Sequence, residues 1–317
     1  KQNKDSVRNL SVFVQQEGTL CDFPGNDSWV ILSPVEQSIK RKIESVGTPL
    51  KDWDINIYRG VLTGYNEAFI INTEKRNEIL ANCQSEEERA KTAELIRPIL
   101  RGRDIKRYGY NWADLWLIAT FPSRHYDIEA FPSVKKHLLS YGKERLEQTG
   151  KTYAVNGEKI KARKKTNNKW FETQDSISYW DDFLRPKIIW KRIGSILRFS
   201  YDTSGYFGLD STCFATGRHI GYLCCILNSL MGCYMLKDSP KTGTGDLLIS
   251  VQAIEPIMIP QNNDLEYLFE ELLKEIIERN SKNAEQEINR LVFKLYNLSP
   301  AEIDYITGSV TQFQQNQ

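Results

Sequence analysis

Three segments in the middle of the chain combine basic and aromatic side chains at close spacing. Residues 97–107 (RPILRGRDIKR) carry five basic residues, residues 151–169 carry seven, and residues 187–198 (KIIWKRIGSILR) carry four, against two acidic residues in all. Basic side chains bind phosphates, and aromatic residues beside them can meet bases or sugars. Because the net charge of the chain is only +1, the pattern predicts a local nucleic-acid-binding surface rather than a uniformly basic protein.

A polar loop near the N-terminal third of the chain has the same character. The sequence IYRGVLTGYNEAFII (57–71) places two glycines and several hydrogen-bonding residues between two apolar runs that resemble strands. A simple hairpin needs only a two-residue turn. The longer loop therefore either presents side chains to a ligand or forms a structural turn whose polar groups satisfy one another.

These segments give the candidate DNA contacts. They are Arg59, Thr63, Tyr65 and Asn66 in the loop; Arg101, Arg103, Lys106 and Arg107 in the first basic segment; Lys161, Arg163, Lys164 and Lys165 in the second; and Lys191 and Arg192 in the third. Residues 159–169 of the second segment are expected to be a flexible arm that is poorly ordered without DNA. The others should lie on one side of the domain, because phosphate contacts must be spread along one groove before a base edge is read. For each segment the alternative is the solvated end of a core strand.

Catalytic chemistry has less support in the sequence. The chain contains no GxSxG, HExxH, GxxxxGK[ST] or CxxC motif. No metal site is predicted, since the three histidines lack a second ligand at metal spacing and the six cysteines resemble reduced core residues. Glu172, Asp181 and Asp182, together with the loop PKTGTGDLL (240–248), leave open a small metal-dependent nuclease or phosphotransferase. Otherwise that loop is expected to be mobile or to contact DNA.

The elements that must position these residues are mostly short strands and loops from Trp29 to about Pro260. Ser33-Pro34-Val35-Glu36 predicts a capped helix that continues to Val46. Residues 218–237 (RHIGYLCCILNSLMGCYMLK) are apolar on nearly every side and predict one buried helix. Most strands here should pair in antiparallel fashion, which gives an α+β fold.

Three helices are predicted after Pro260: one capped by Asn263, one from about 284 to 296, and a short one that stops at Gly308. The apolar residues expected to pack between the first two are Leu265, Leu268, Leu272 and Ile276 with Ile288, Leu291 and Leu295. The outward residues of the first helix are Glu266, Glu270, Glu271, Glu275 and Glu278. This acidic face is expected to point away from DNA, and it leaves open a third function, that of a protein-interaction module.

Six short motifs occur in an order that carries a family resemblance. They are IYRGVLTGYNEAFII (57–71), LRGRDIKRY (100–108), RPKIIWKRI (185–193), ILNS (226–229), IEPIMIP (254–260) and INRLVFKLYNLSPAEI (288–303). From about Trp29 to Gly308 the chain resembles the TaqI-like C-terminal specificity domain of adenine-specific DNA methyltransferases and type IIG restriction-modification enzymes.

The resemblance implies sequence-specific recognition of double-stranded DNA for a separate methyltransferase domain, which binds S-adenosylmethionine and flips the adenine out of the duplex. The glycine-rich cofactor motif and the Asn/Asp-Pro-Pro-Tyr/Phe motif of that domain are not in this sequence. We therefore expect no cofactor here and a catalytic domain N-terminal to it in a cytoplasmic parent. The expected organisation is a linker (1–25), a mixed, largely antiparallel recognition domain (26–260), a helical hairpin with a short third helix (261–308) and a tail (309–317).

Overall fold

The structure is a computed structural model that describes residues 32 to 315. The predicted linker (1–25) and the predicted start of the recognition domain lie outside the described residues.

The strands are β1 (Thr48–Pro49), β2 (Ile55–Arg59), β3 (Ile70–Asn72), β4 (Ile96–Leu100), β5 (Leu115–Ile118), β6 (Thr152–Val155), β7 (Glu158–Lys161), β8 (Lys187–Lys191), β9 (Ile193–Gly194), β10 (Phe199–Asp202), β11 (Phe207–Gly208), β12 (Thr212–Gly217), β13 (Leu247–Leu248) and β14 (Met258–Ile259).

The helices are distributed between these strands and at the C-terminal end. They are α1 (Pro34–Val46), α2 (Asn66–Phe69), α3 (Thr73–Ala81), α4 (Glu86–Leu95), α5 (Pro132–Leu139), α6 (Lys143–Leu146), α7 (Ile220–Asn228), α8 (Leu230–Leu236), α9 (Val251–Ile254), α10 (Asn263–Arg279), α11 (Lys282–Leu295) and α12 (Pro300–Gln315). The predicted α+β class is confirmed. In the part of the chain described, no helix has the length and apolar character to cross a membrane.

A four-stranded antiparallel sheet in the order β10-β8-β12-β2 separates two hydrophobic cores. Successive side chains of a strand point to opposite faces. Accordingly Ile188 and Ala215 pack in the first core, whereas their neighbours Ile189 and Phe214 pack in the second. The strands are rich in β-branched and aromatic residues, which suits a sheet that is buried on both faces.

The first core covers one face of this sheet with helices α7, α8, α10, α11 and α12. The buried segment 218–237 was predicted as one helix, and the structure divides it at Ser229. The Ser229 hydroxyl accepts a hydrogen bond from the Gly232 amide (3.1 Å) and so caps a second helix. All four cysteines of residues 213–235 are buried, as expected for small core residues.

The C-terminal helices differ from the prediction in two respects: the residues that α10 buries and the length of α12. The N-terminal cap of α10 is Asn262 rather than Asn263, and its buried residues are Phe269, Leu273 and Ile276. Leu268, assigned to the packed stripe, is 39% exposed. Helix α12 continues through Gly308 to Gln315, because Ile306 and Val310 on either side of the glycine are buried in the first core.

Leucine-to-alanine substitutions in α10 test this phase. Leu273 is 3% exposed, so Leu273→Ala should lower the free energy of unfolding by roughly 2–5 kcal/mol through lost burial and a cavity. Leu268→Ala, the matched control five residues earlier, should change it by less than about 1 kcal/mol, because that side chain is partly solvated already. Urea denaturation of both variants measures the difference, and a larger loss for Leu268→Ala would contradict the observed phase.

Helix α1 begins as predicted, with a capping box between Ser33 and Glu36. It is fastened to α12 by the buried carboxylate of Glu302. Burial alone would raise the pKa of Glu302, but hydrogen bonds from Lys42, Ser38 and Ser299 hold it at about 2. The Glu302 carboxylate accepts from the Lys42 ammonium and the Ser38 hydroxyl at 2.6 Å each. The two ends of the described chain therefore belong to one core.

The second core packs on a four-stranded sheet in the order β11-β4-β5-β3. Segment 57–71 joins the two sheets, since β2 belongs to the first and β3 to the second. Ala68 and Phe69, predicted as strand residues, form the buried end of the one-turn helix α2. Gly60 is required here, because a Cβ at that position would lie 2.1 Å from the Leu209 carbonyl oxygen.

The second basic segment is not a poorly ordered arm. Strands β6 and β7 form an antiparallel hairpin around Asn156 and Gly157, both of which have positive φ. A two-residue turn of this kind matches the twist of the paired strands. The following residues, 162–169, are held by hydrogen bonds to neighbouring loops, including one from the Thr166 hydroxyl to the Gln148 side-chain oxygen (2.7 Å).

Candidate nucleic-acid interface

Several of the candidate segments meet at the turn of residues 208–212, which we call the 208–212 turn. Strands β2 and β8 both pair with β12 in antiparallel fashion, so their C-terminal ends lie at the same end of the sheet, where β12 begins. The Ser211 hydroxyl accepts a hydrogen bond from the Gly102 amide (3.0 Å), and the Ser211 carbonyl accepts one from the Arg192 amide (2.9 Å). The 208–212 turn thereby brings residues from three distant segments together.

Arg59 and Asp210 form a partly exposed ion pair at this position. The shortest contact joins Nη2 of Arg59 to Oδ2 of Asp210 at 3.4 Å, and the two side chains are 39% and 30% exposed. Charge-assisted hydrogen bonds usually measure about 2.7–2.9 Å, so the contact is loose. Within residues 32 to 315, the buried Nε of Arg59 has no hydrogen-bond acceptor.

Lys191 and Arg192 follow each other at the end of β8 and point to opposite faces of the sheet. Lys191 is exposed and lies along Gly102, where a Cβ would be 2.9 Å from its Cγ. Arg192 lies on the face of Cys213 with Arg59. Burial raises the pKa of Cys213 to about 11, and the positive charges of Arg192 and Arg59 oppose that shift. Like that of Arg59, the buried Nε of Arg192 has no acceptor among the described residues.

The basic residues of 101–107 have different roles. Arg101 donates from Nε (3.0 Å) and Nη2 (2.8 Å) to the buried carboxylate of Asp104 and braces the turn Gly102–Asp104. Arg107 contacts Glu285 on α11 (3.0 Å) and donates to the Asn228 carbonyl (3.0 Å). Arg103 is exposed and has no ion-pair partner in the described part of the chain, while Lys106 is half-buried. Arg103 and Lys106 are thus the residues of this segment without an ion-pair partner among the described residues, and Arg103 is the more exposed of the two.

Two of the candidate contacts are buried, which corrects the prediction for them. Thr63 has no exposed surface, and its hydroxyl donates to the Asn66 side-chain oxygen (2.7 Å). Arg163 is 4% exposed and donates to four backbone carbonyls, those of Leu146, Thr63, Glu172 and Trp170, at 2.7–2.8 Å. The buried guanidinium of Arg163 therefore links these backbone segments inside the fold. Neither residue can reach DNA.

The remaining candidates share no hydrogen bond with the 208–212 turn in the described structure. Tyr65 packs edge-on against Tyr141 (ring centroids 6.1 Å apart) under the Arg145 guanidinium, whereas Asn66 is exposed. Lys161, Lys164 and Lys165 are exposed around the anchored Arg163. Their contact with DNA remains a prediction.

Sequence reasoning missed Asp210 and Ser211, whose signal is only a short GLDST turn between two short strands. It also gave no location for the 240–248 loop. Strand β13 pairs with β9, and the Ile249 amide donates to the Arg192 carbonyl (2.8 Å), so the C-terminal end of this loop lies beside Arg192. Backbone amides in such a glycine-containing loop can approach a phosphate.

Two of the three carboxylates of the alternative catalytic site have separate structural partners. Glu172 is buried and accepts a hydrogen bond from the Lys169 amide (2.6 Å), and Asp182 pairs with Arg185 (3.1 Å). No group of three or more His, Cys, Asp or Glu side chains in residues 32–315 could hold a metal ion. The geometry therefore offers no support for the metal-dependent nuclease.

A family model for the TaqI-like C-terminal specificity domain matches residues 97–259, more than half of the 317-residue chain. The chain belongs to this family. The resemblance drawn from the sequence motifs is thereby confirmed, and the matched region of the specificity domain contains Arg103, Lys191, Arg192 and the 208–212 turn.

A solved structure shares the fold of this chain. A structure of the type IIL restriction-modification enzyme MmeI in complex with DNA matches with a TM-score of 0.53 at 12% identity, over 85% of this chain and 37% of that one. The type IIG restriction endonuclease BpuSI matches with a TM-score of 0.45 at 15% identity, over 83% of this chain and 32% of that one. The specificity domain thus spans about a third of the length of these enzymes. No curated protein matches it in sequence.

The acidic face of α10 lines a groove of about 680 Å³ opposite Tyr110 and Tyr201. Glu270, Glu271 and Glu278 contribute carboxylates to it, and the single basic residue in its lining is Lys274. None of these glutamates hydrogen-bonds to the 208–212 turn within the described structure. The groove is also lined by Tyr108, the residue that follows Arg107 of the first basic segment.

Proposed function

We propose that this specificity domain recognises a sequence in double-stranded DNA on behalf of an adenine-specific DNA methyltransferase or type IIG restriction-modification enzyme. The observation that carries the proposal is that Arg59 and Lys191 end their strands at the 208–212 turn, where Arg192 follows Lys191, and that Arg103 follows Gly102, which is hydrogen-bonded to that turn. Arg59 and Arg192 lie on one face of the sheet there, whereas Lys191 lies on the other, so the expectation that all of these residues share one side does not hold for Lys191. A duplex is held by several phosphate contacts along one groove, and basic side chains anchored to a rigid sheet supply them.

The catalytic steps belong, in this proposal, to a methyltransferase domain of the same cytoplasmic polypeptide. That domain would bind S-adenosylmethionine, and the acidic groove beside α10 is the surface we assign to contact with it, because a groove rich in carboxylates repels DNA phosphates. The purified chain alone should transfer no methyl group from labelled S-adenosylmethionine to DNA. Transfer by the purified chain would overturn this division of labour.

Arg103→Ala tests the DNA surface. A target is first selected from a pool of randomised duplexes, and binding is then measured by fluorescence anisotropy over a range of salt concentrations. Because Arg103 is an exposed cation at the interface, the variant should bind all duplexes more weakly and lower the slope of log K against log salt by about one unit.

Arg290→Gln provides the matched control. Arg290 is also exposed, but it pairs with Glu287 on α11 (2.6 Å), away from the proposed interface. Its substitution should leave the salt slope unchanged. Equal effects of the two substitutions would mean that the measured binding reflects net charge rather than this surface, and a changed base preference for Arg103→Ala would reassign that residue to base reading.

A further inference from the structure

Four buried side-chain atoms in the described residues lack a hydrogen-bond partner, and two of them belong to arginines at the same end of one sheet. Buried nitrogen or oxygen atoms without a hydrogen-bond partner occur at Arg59 Nε, Arg76 Nε, Thr92 Oγ1 and Arg192 Nε. Buried polar groups nearly always have partners, and each exception calls for an explanation. The Nε atoms of Arg59 and Arg192 both belong to partly exposed side chains (39% for Arg59), so an acceptor from outside would reach the terminal nitrogens of the two guanidinium groups.

The register of the sheet fixes the strand positions from which the side chains of Arg59 and Arg192 project. Arg59 on β2 and Trp190 on β8 both pair with Cys213 on β12, so the three side chains share one face. Arg192 follows Trp190 by two residues and returns to that face. Neighbouring strands lie about 4.8 Å apart, which places Arg59 on the order of 10 Å from the line of β8. Two long side chains can bridge that distance through one small anion between them.

Arg59 and Arg192 differ in the number of acidic side chains near them. Arg59 has the loose contact with Asp210, and the carboxyl of Asp175 also lies close enough to interact with it, although burial raises the pKa of Asp175. Arg192 has no side-chain hydrogen bond or ion pair within residues 32–315. Asp210 itself sits on a rigid support, because the Asp210 amide donates to the Val61 carbonyl (2.9 Å) and the Thr212 amide to the Leu209 carbonyl (2.8 Å).

We propose that Arg59 and Arg192 together bind one phosphate of the DNA backbone, and that Asp210 forms an ion pair with Arg59 in the absence of DNA and competes with that phosphate. This inference rests on the proposed DNA recognition, and it adds a shared phosphate site and an internal competitor to it. Planar guanidinium groups suit such a site because each can donate two parallel hydrogen bonds to phosphate oxygens. A carboxylate held at 3.4 Å neutralises Arg59 without binding it tightly.

The first experiment compares Asp210→Asn with the wild-type chain in DNA binding. Removal of the competing carboxylate should tighten binding by about threefold to tenfold for every duplex, since Arg59 no longer has to leave an ion pair. Asp181→Asn, an exposed aspartate away from the 208–212 turn, controls for the change in net charge. The gain should disappear in the double variant Asp210→Asn/Arg59→Ala. Asp210→Ser repeats the test if the asparagine variant has an altered urea midpoint.

The second experiment counts the phosphates. Arg59→Ala and Arg192→Ala should each weaken binding, and the double variant should lower the salt slope by about one unit rather than two, because both side chains contact the same phosphate. A drop of about two units would show two separate contacts. Weaker or unchanged binding by Asp210→Asn would show that Asp210 contacts a base or only supports the turn. Either result overturns this inference while Arg103→Ala still reports on DNA recognition.

Discussion

Replacing Arg163 with alanine is expected to lower the free energy of unfolding by more than about 3 kcal/mol, since the variant leaves four backbone carbonyls without their donor and each buried acceptor costs about 1–3 kcal/mol. Arg163 joins three loops through these carbonyls, and its side chain is almost fully buried. Urea denaturation followed by far-UV circular dichroism measures the loss.

Two variants sharpen this result. Lys164→Ala changes the exposed neighbour and should alter the free energy of unfolding by less than about 0.5 kcal/mol. Arg163→Lys keeps the charge, but a single ammonium cannot donate in the directions of a planar guanidinium, so it should remain strongly destabilised. A stable Arg163→Ala variant whose only defect is weaker DNA binding would restore Arg163 to the DNA contacts.

Replacing Asp202 with alanine should cost about 3–5 kcal/mol, because the substitution leaves the buried ammonium of Lys187 without its counter-ion. Both side chains are fully buried, and the Lys187 ammonium donates to the Asp202 carboxylate and to the Phe183 carbonyl (2.6 Å). Asp202 also accepts from the Tyr110 hydroxyl (3.0 Å) and from two backbone amides. The double variant Lys187→Met/Asp202→Leu should recover part of the loss, since no uncompensated charge remains.

The Asp202→Ala variant should also depend on pH in a defined direction. Burial already lowers the pKa of Lys187, and the Asp202 charge opposes that shift, so the pKa should fall further in the variant. Between the lowered folded pKa and the usual value of 10.5, the unfolded chain binds more protons than the folded one. Its stability should therefore rise as the pH increases through this window. Stability that falls over this window would show that Lys187 finds another counter-ion.

Local signals predicted the elements whose residues interact within a few positions. The capping box of α1 involves residues three apart, and the apolar repeat of the C-terminal helices follows from the helical period. Even there, the sequence placed the buried stripe of α10 one residue too early at Leu268. Apolar residues occupy neighbouring positions of that helix, as Leu268 and Phe269 or Leu272 and Leu273 do, so only the contacts with α7 and α11 select Phe269 and Leu273 as the buried pair.

The sequence by itself determined the α+β class, the order of the family motifs and the presence of basic segments, because these properties depend on residue types and short spacings. Only the tertiary structure decided which polar side chains face outwards. Thr63 and Arg163 belong to the interior since the chain closes around them through partners up to 100 residues away. Arg59 meets Asp210 across 151 residues. Contacts of this range arise from strand pairing at the end of the β2-β12-β8 arrangement, and no local pattern encodes them.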